Sequence, residues 1–265
     1  MPENELDDRL ERIERLYENE DLRRARKELA RAKKLFPGDL TLREWEAVFL
    51  ADDERFEEAL KILDGVLGAE TDRPFAARER AIVLMELGRF PGAHEQLQTI
   101  LDRRLIEGGP EEEAEVRFDL AGCLDRLGRI KEADAQFKKA ARLAPEDFPV
   151  PPRMCASVFD ALVARALDSI PADFQPYLRQ VAVTVLDYPP KDAPGPFILG
   201  LYSGLPRTER SHVDRDHLDT VFVFKRNHEL MSLSPGELRE EVRKTVVHEI
   251  AHHFGLGEDD MGEYA

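Results

Sequence analysis

Hydrophobic positions in the first half of the chain recur at helical spacing, and that pattern repeats on a step of 34 residues. Ala25, Ala59 and Ala93 keep the step, as do Leu16, Leu50 and Leu84, then Leu22, Phe56 and Phe90, then Leu29, Leu63 and Leu97. After an insertion around "IEGGPEEE" the ladder resumes at Leu124, Ile130, Ala133 and Phe137. Each unit reads as two amphipathic helices, apolar on one face. Gly88 and Gly128 mark the turn in the later units, while Pro37 and Pro145 stop the second helix of the first and fourth. The small alanine lets paired helices approach closely, and the larger Leu or Phe four residues on fills the space between neighbours.

In period and pattern the ladder resembles the tetratricopeptide repeat, over roughly residues 5–147. The resemblance implies an all-α helical solenoid whose concave groove takes a protein or peptide partner. Positions expected to face that groove include Asp7, Glu14, Glu44, Asp52, Phe75, Arg78, Ile82 and Asp125. The mixture is acidic and apolar, which suits a basic or amphipathic segment; a purely architectural solenoid is the alternative.

The stretch "APEDFPVPPR" ends the repeat, because its prolines cannot continue a helix and favour an extended linker. The predicted organisation is therefore a repeat domain of four helix pairs over 1–147, a proline-rich linker over 148–153 and a second domain over 154–265. In that second domain the pattern changes to a helix "MCASVFDALVARALDSI", a strand "QVAVTVLDY", a Gly/Pro-rich stretch, a strand "DTVFVFK" and a long last helix. The expected fold class is a compact α+β unit.

The last helix has clear punctuation. Ser234 is a candidate N-cap, Pro235 suits the first helical position, Glu237 completes a capping box and Gly255 suits the C-terminal cap. Leu238, Val242, Val246, Ile250 and Phe254 form an apolar stripe, so this helix should pack on the strands with another flank free.

That helix ends in "HEIAHHFGLGEDD". His248 and His252 stand one turn and about 40° apart, so both imidazoles can reach one metal ion. Glu249 projects from an adjacent flank, close enough to take a proton from a metal-bound water, whose pKa zinc lowers to about 7. A catalytic zinc site usually has three protein ligands and an open position. The spacing points to Glu258 as the third, with Asp259 as runner-up; His253 faces away from His248 and reads as supporting or structural.

From about Met154 onward the chain resembles the small bacterial zincin-like metallopeptidases. The resemblance rests on "HEIAHHFG" followed by an acid, on "GLYSGLPRTERS" and on "DTVFVFKRNHEL". It implies a zincin-like α+β domain with one Zn2+ per chain, His248 and His252 as ligands, Glu249 as general base and the acid at 258 as third ligand. Family members commonly carry Asp there, which keeps Asp259 in contention. If zincin behaviour applies, a peptide substrate lies extended along an edge strand beside the metal, and Val221, Phe222, Val223 and Phe224 form the nominated strand, with a buried sheet strand as the alternative. Tyr202, Arg207 and Tyr264 are candidates for oxyanion stabilisation. His212, His217 and His228 lie in polar surroundings and read as solvated, and Ser203 reads as a turn residue.

Charge and cysteine usage narrow the partners. A formal net charge of -16 argues against nucleic acid and anionic membranes, which need a basic footprint. The first residues are charged, without a secretory apolar run, and Cys123 and Cys155 have no metal-like spacing; both features predict a cytoplasmic protein. The combined expectation is a cytoplasmic zinc metallopeptidase whose repeats bind a protein partner or substrate. The rival is a non-catalytic repeat adaptor whose zincin-like domain holds a structural metal.

Overall fold

The computed structural model of the chain describes residues 2–178, 181–204 and 219–256. Two compact units emerge, Met1–Gln136 and Phe137–Ala265. The repeat helices are α1 (Pro2–Glu18), α2 (Leu22–Leu35), α3 (Leu40–Asp52), α4 (Phe56–Ala69), α5 (Pro74–Glu86), α6 (Phe90–Arg103), α7 (Gly109–Arg126) and α8 (Ile130–Leu143). In the first unit α1 packs on α2, α3 on α4 and α5 on α6, and the pairs stack through α2–α3, α4–α5 and α6–α7.

The turn inside each repeat has one geometry. The left-handed backbone falls on Glu20, Glu54, Gly88 and Gly128. The next residue's N–H then returns to a leucine carbonyl, Asp21 to Leu16, Arg55 to Leu50, Arg89 to Leu84 and Arg129 to Leu124, at 2.8–2.9 Å. Glycine occupies this position without steric cost, and glutamate bears a modest one in the first two repeats. Ala25, Ala59 and Ala93 are fully buried, as close helix packing requires. Two positions expected in the groove are buried instead: Asp125 is 5% exposed, and Glu44, 2% exposed, accepts from Arg73 Nε at 2.6 Å and Nη2 at 2.9 Å. Glu44 thus serves the ion pairing of α3 with the start of α5.

In the second unit come α9 (Ala156–Asp168), α10 (Gln175–Leu178), β1 (Val181–Leu186), β2 (Gly200–Ser203), β3 (Asp219–Phe224), α11 (Lys225–Met231) and α12 (Pro235–His253). Among the described residues the strand order is β1-β3-β2, with β3 parallel to β1 and antiparallel to β2. Phe159, Val163 and Ala166 of α9, Val221 and Val223 of β3, and Val242, Val246 and Ile250 of α12 form one buried cluster.

Two expectations are corrected here. Val221, Phe222, Val223 and Phe224 form the central strand, paired on both sides, so β3 has no open main-chain edge on which a peptide can add. The Gly/Pro-rich stretch, in which no strand was expected, contains β2, an edge strand among the described residues, and Ser203 is its last residue rather than a turn residue. Four residues are too few for alternation to stand out among glycines and prolines.

Asn227 of α11 and the end of β3 anchor the residues that lead into β2. Asn227 Nδ2 donates to the carbonyls of Pro196 at 3.0 Å and Ile198 at 2.7 Å, and Phe224 N–H donates to Leu199 O at 2.9 Å. Glu229, fully buried, accepts from Lys225 Nζ at 2.6 Å, Arg226 Nη1 at 3.0 Å and the Met154 N–H at 2.7 Å, tying α11 to the residues that lead into α9.

Candidate metal centre

The punctuation of α12 determines where its chemistry falls. Ser234 Oγ accepts from Glu237 N–H at 3.2 Å, and the Glu237 carboxylate reaches one residue past the N-cap to accept from Leu233 N–H at 2.8 Å, so the helix start is tied down from both sides. At the other end Gly255, with φ of 85°, turns the chain out of the helix. Between these signals the helix faces α9, β2, β3 and α11. Leu238, Val242, Thr245, Val246, Glu249, Ile250 and His253 are buried on that side, while His248 and His252 are half-buried on the flank.

The two flank imidazoles converge. His248 Nε2 and His252 Nε2 lie 3.2 Å apart, with ring centroids 4.8 Å apart and planes at 87°. Two nitrogens bound to one tetrahedral zinc at 2.0–2.1 Å would be separated by about 3.3 Å, so the donor atoms fit such an ion. His252 Nδ1 faces Leu256 O at 3.1 Å. Donation to that carbonyl places the ring proton on Nδ1 and leaves Nε2 as the lone-pair donor. Among the described residues no group of three or more His, Cys, Asp or Glu forms a metal cluster. Glu258 and Asp259, and the oxyanion candidates Arg207 and Tyr264, lie outside the described residues.

Glu249 is 8% exposed and points toward the sheet. A Cβ built on Gly200 of β2 would come within 2.7 Å of Glu249 Cγ, Glu249 Oε1 and Thr245 Cγ2, so the glutamate packs directly over the edge strand. The alternation of antiparallel pairing shows which main-chain groups that edge offers. Phe224 N–H bonds Leu199 O, and the register pairs Leu201 with Phe222 and Ser203 with Thr220. Residues 199, 201 and 203 therefore turn their main-chain groups toward β3, and those of Gly200 and Tyr202 point to the opposite side of β2. Tyr202 is half-buried in the domain core.

His253 turns inward, as expected from its place on the helix. Its Nδ1 lies 2.6 Å from Asp219 Oδ2 at the start of β3, and its ring sits edge-on to Tyr202 with centroids 6.1 Å apart. Gly204 extends the same arrangement, because a Cβ there would collide with the Asp219 carboxylate and Tyr202 OH. His228, expected in solvent, is 1% exposed and packs near Phe159, and burial drives its pKa down to about 4. Gly200, Thr245 and Asp219 went unnoticed in the sequence; the only signal available was the glycine spacing of "GLYSG", which is too common to be read alone.

On the repeats, Trp45 meets Tyr17 edge-to-face and Phe75 at a tilt, with centroid distances of 5.3 and 6.0 Å, and Phe75 is 42% exposed. Tyr17 OH donates to Asp52 at 3.1 Å. Burial, with Asp52, Glu115 and Glu44 adding repulsion against the opposing Arg78, raises Glu79 to about 7. Burial beside Glu115 raises Asp119 to about 7.

A helical-repeat unit joined to a small α+β domain with an HExxH helix is the class that this fold and site define. The chain belongs to the tetratricopeptide-repeat family, whose model matches residues 10–74 and 78–148, just over half of its length, and a zincin-like metallopeptidase domain follows at residues 178–265. No curated protein matches the chain significantly. Similar solved structures include MamA from AMB-1, with 22% identity, 52% of this chain and 78% of that one covered, and a TM-score of 0.43. MamA (41-end) from Desulfovibrio magneticus RS-1 has 14% identity, coverage of 66% and 89%, and a TM-score of 0.45. A tetratricopeptide repeat protein from Parabacteroides merdae has 19% identity, coverage of 53% and 54%, and a TM-score of 0.43. Among the described residues no helix is long and apolar enough to cross a membrane.

Proposed function

We propose that the chain is a cytoplasmic zinc-dependent peptidase whose repeats bind a protein partner or substrate. The observation that carries the reading is the convergence of two imidazole Nε2 atoms at 3.2 Å beside a glutamate seated on an edge strand. In this reading His248 and His252 hold one zinc ion, with Glu258, or else Asp259, as the third ligand. Zinc supplies Lewis acidity that activates water and polarises a peptide carbonyl. With zinc held there, Glu249 would be placed to take a proton from water and to return it to the leaving amine. Tyr202, Arg207 and Tyr264 are the candidates for stabilising the oxyanion.

The peptide is assigned to the side of β2 away from β3, because Glu249 packs directly over this strand while β3 is paired on both sides. For the repeats, the exposed Phe75 ring beside Trp45 and the formal net charge of -16 support a basic or amphipathic segment as partner.

The decisive comparison is Glu249→Gln in the full chain. Retained zinc with loss of cleavage on a peptide library supports the reading, whereas full cleavage by this variant would falsify it. The rival, a repeat-based adaptor with a structural metal, draws support from the extent of the repeats, which exceed half the chain. It predicts a saturated four-ligand site, no turnover in the wild type and partner binding unchanged by Glu249→Gln.

A further inference from the structure

The glutamate of the HExxH segment rests on a residue that has no side chain. All three close approaches to a Cβ at Gly200, at 2.7 Å each, come from one face of α12: the Cγ and Oε1 of Glu249, and the Cγ2 of Thr245 one turn earlier. Real side chains do not approach this closely, so a methyl group at position 200 forces the helix face or the glutamate to move. Gly200 is not among the residues with positive φ, so its backbone suits alanine. The glycine is needed there for space, not for conformation.

We propose that Gly200 is the positioning residue for Glu249: the absent side chain lets α12 seat the carboxylate on β2, the strand whose outer edge faces the substrate. The proposal rests on the reading of Glu249 as general base and deepens it. One residue then sets both the main chain that aligns the peptide and the height of the group that moves the proton. His248 and His252 project from the neighbouring flank, about 100° and 60° away from Glu249 around the axis. Two of the three crowded atoms belong to the Glu249 side chain and none to either histidine, so crowding at Gly200 falls first on the glutamate. The glycine on α12 itself provides the control: at Gly236 an added Cβ meets nothing nearer than 3.7 Å.

The test compares the zinc-loaded full chain as wild type, Gly200→Ala and Gly236→Ala, by crystal structure, zinc affinity and steady-state cleavage of a peptide that the wild type cuts. In Gly200→Ala the Glu249 carboxylate is expected to move by roughly an ångström with zinc retained, and kcat to fall on the order of 100-fold. KM and zinc affinity should stay within about threefold, since neither depends on the proton transfer. Gly236→Ala should match the wild type throughout. Should Gly200→Ala fail to fold, Gly200→Ala/Thr245→Ala, which removes one of the three crowding atoms, carries the same readouts. A Glu249 carboxylate unmoved in the variant overturns the proposal whatever the activity, and so does an unchanged kcat. A wild type that binds zinc but cuts nothing, together with a displaced Glu249 in the variant, sinks the peptidase reading and upholds the placement of Glu249 by Gly200.

Discussion

His253 Nδ1 and Asp219 Oδ2 lie 2.6 Å apart, and each side chain is 1% exposed. The contact joins the last turn of α12 to the first residue of β3, immediately after His252 in sequence. A buried pair of this kind fixes a helix end strongly, because breaking it leaves one polar partner stranded away from water.

Asp219→Ala is expected to destabilise the second unit by roughly 3 kcal/mol, read as a lower urea midpoint with an unchanged slope. Because the pair holds the turn that presents His252, zinc affinity should also fall, by about 10–100-fold. Unaltered affinity in a folded variant would show that the pair is only architectural.

Zinc itself should act as a folding ligand. Addition of the ion at about 100 times its dissociation constant is expected to stabilise the wild type by about 2.7 kcal/mol. His248→Ala should abolish that gain while leaving the metal-free unfolding transition nearly unchanged. Calorimetry with and without chelator reads both effects.

Glu229 accepts three hydrogen bonds, has Arg153 Nη1 at 3.5 Å as a further cation and is fully buried, so its removal strands Lys225, whose side chain is 7% exposed. Glu229→Ala should cost about 3–5 kcal/mol. The double variant Glu229→Ala/Lys225→Met should recover part of the loss, since the uncompensated ammonium is then gone. A double variant no more stable than the single one would contradict this account of Lys225.

Acidification should move the two units in opposite directions. Burial holds His228 down at about 4, from an ordinary value of 6.5, so its neutral form is fully compatible with folding above pH 6.5. As pH falls from 6.5 towards 4 the unfolded chain binds the proton first, and about 3 kcal/mol of stability is lost over that window. Glu79 and Asp119 are raised to about 7, from 4.5 and 3.8, so the first unit gains stability as pH falls from 7 through that range. Trp45, the single tryptophan, reports the first unit by fluorescence. Its thermal midpoint should rise between pH 7.5 and 4.5 while the second unit's falls, and His228→Met should remove the fall.

Repetition made most of the first unit legible from residues alone. The step of 34 and the alanines at 25, 59 and 93 report a helix contact that recurs unchanged, so each copy reinforces the others. The turns were only half readable, because Glu20 and Glu54 adopt the left-handed backbone that Gly88 and Gly128 announce openly. Glu44 was misplaced because helical phase defines a face but not what Arg73, 29 residues on, does when it arrives there.

Local order along α12 likewise determined, without any tertiary information, that His248 and His252 share a flank, since a turn of helix allows nothing else. Its caps, Ser234 and Gly255, are short-range signals of the same kind. Strand order is not local: β3 reads as apolar whether it lies at an edge or in the centre, and only its pairing with both β1 and β2 decided the matter. The same holds for Gly200 beneath Glu249 and for Asp219 against His253, contacts between residues 49 and 34 positions apart. Periodicity reports which face of an element is buried. What that face meets depends on how the elements come together in space, and it is there that the helix carrying the imidazoles acquired its edge strand.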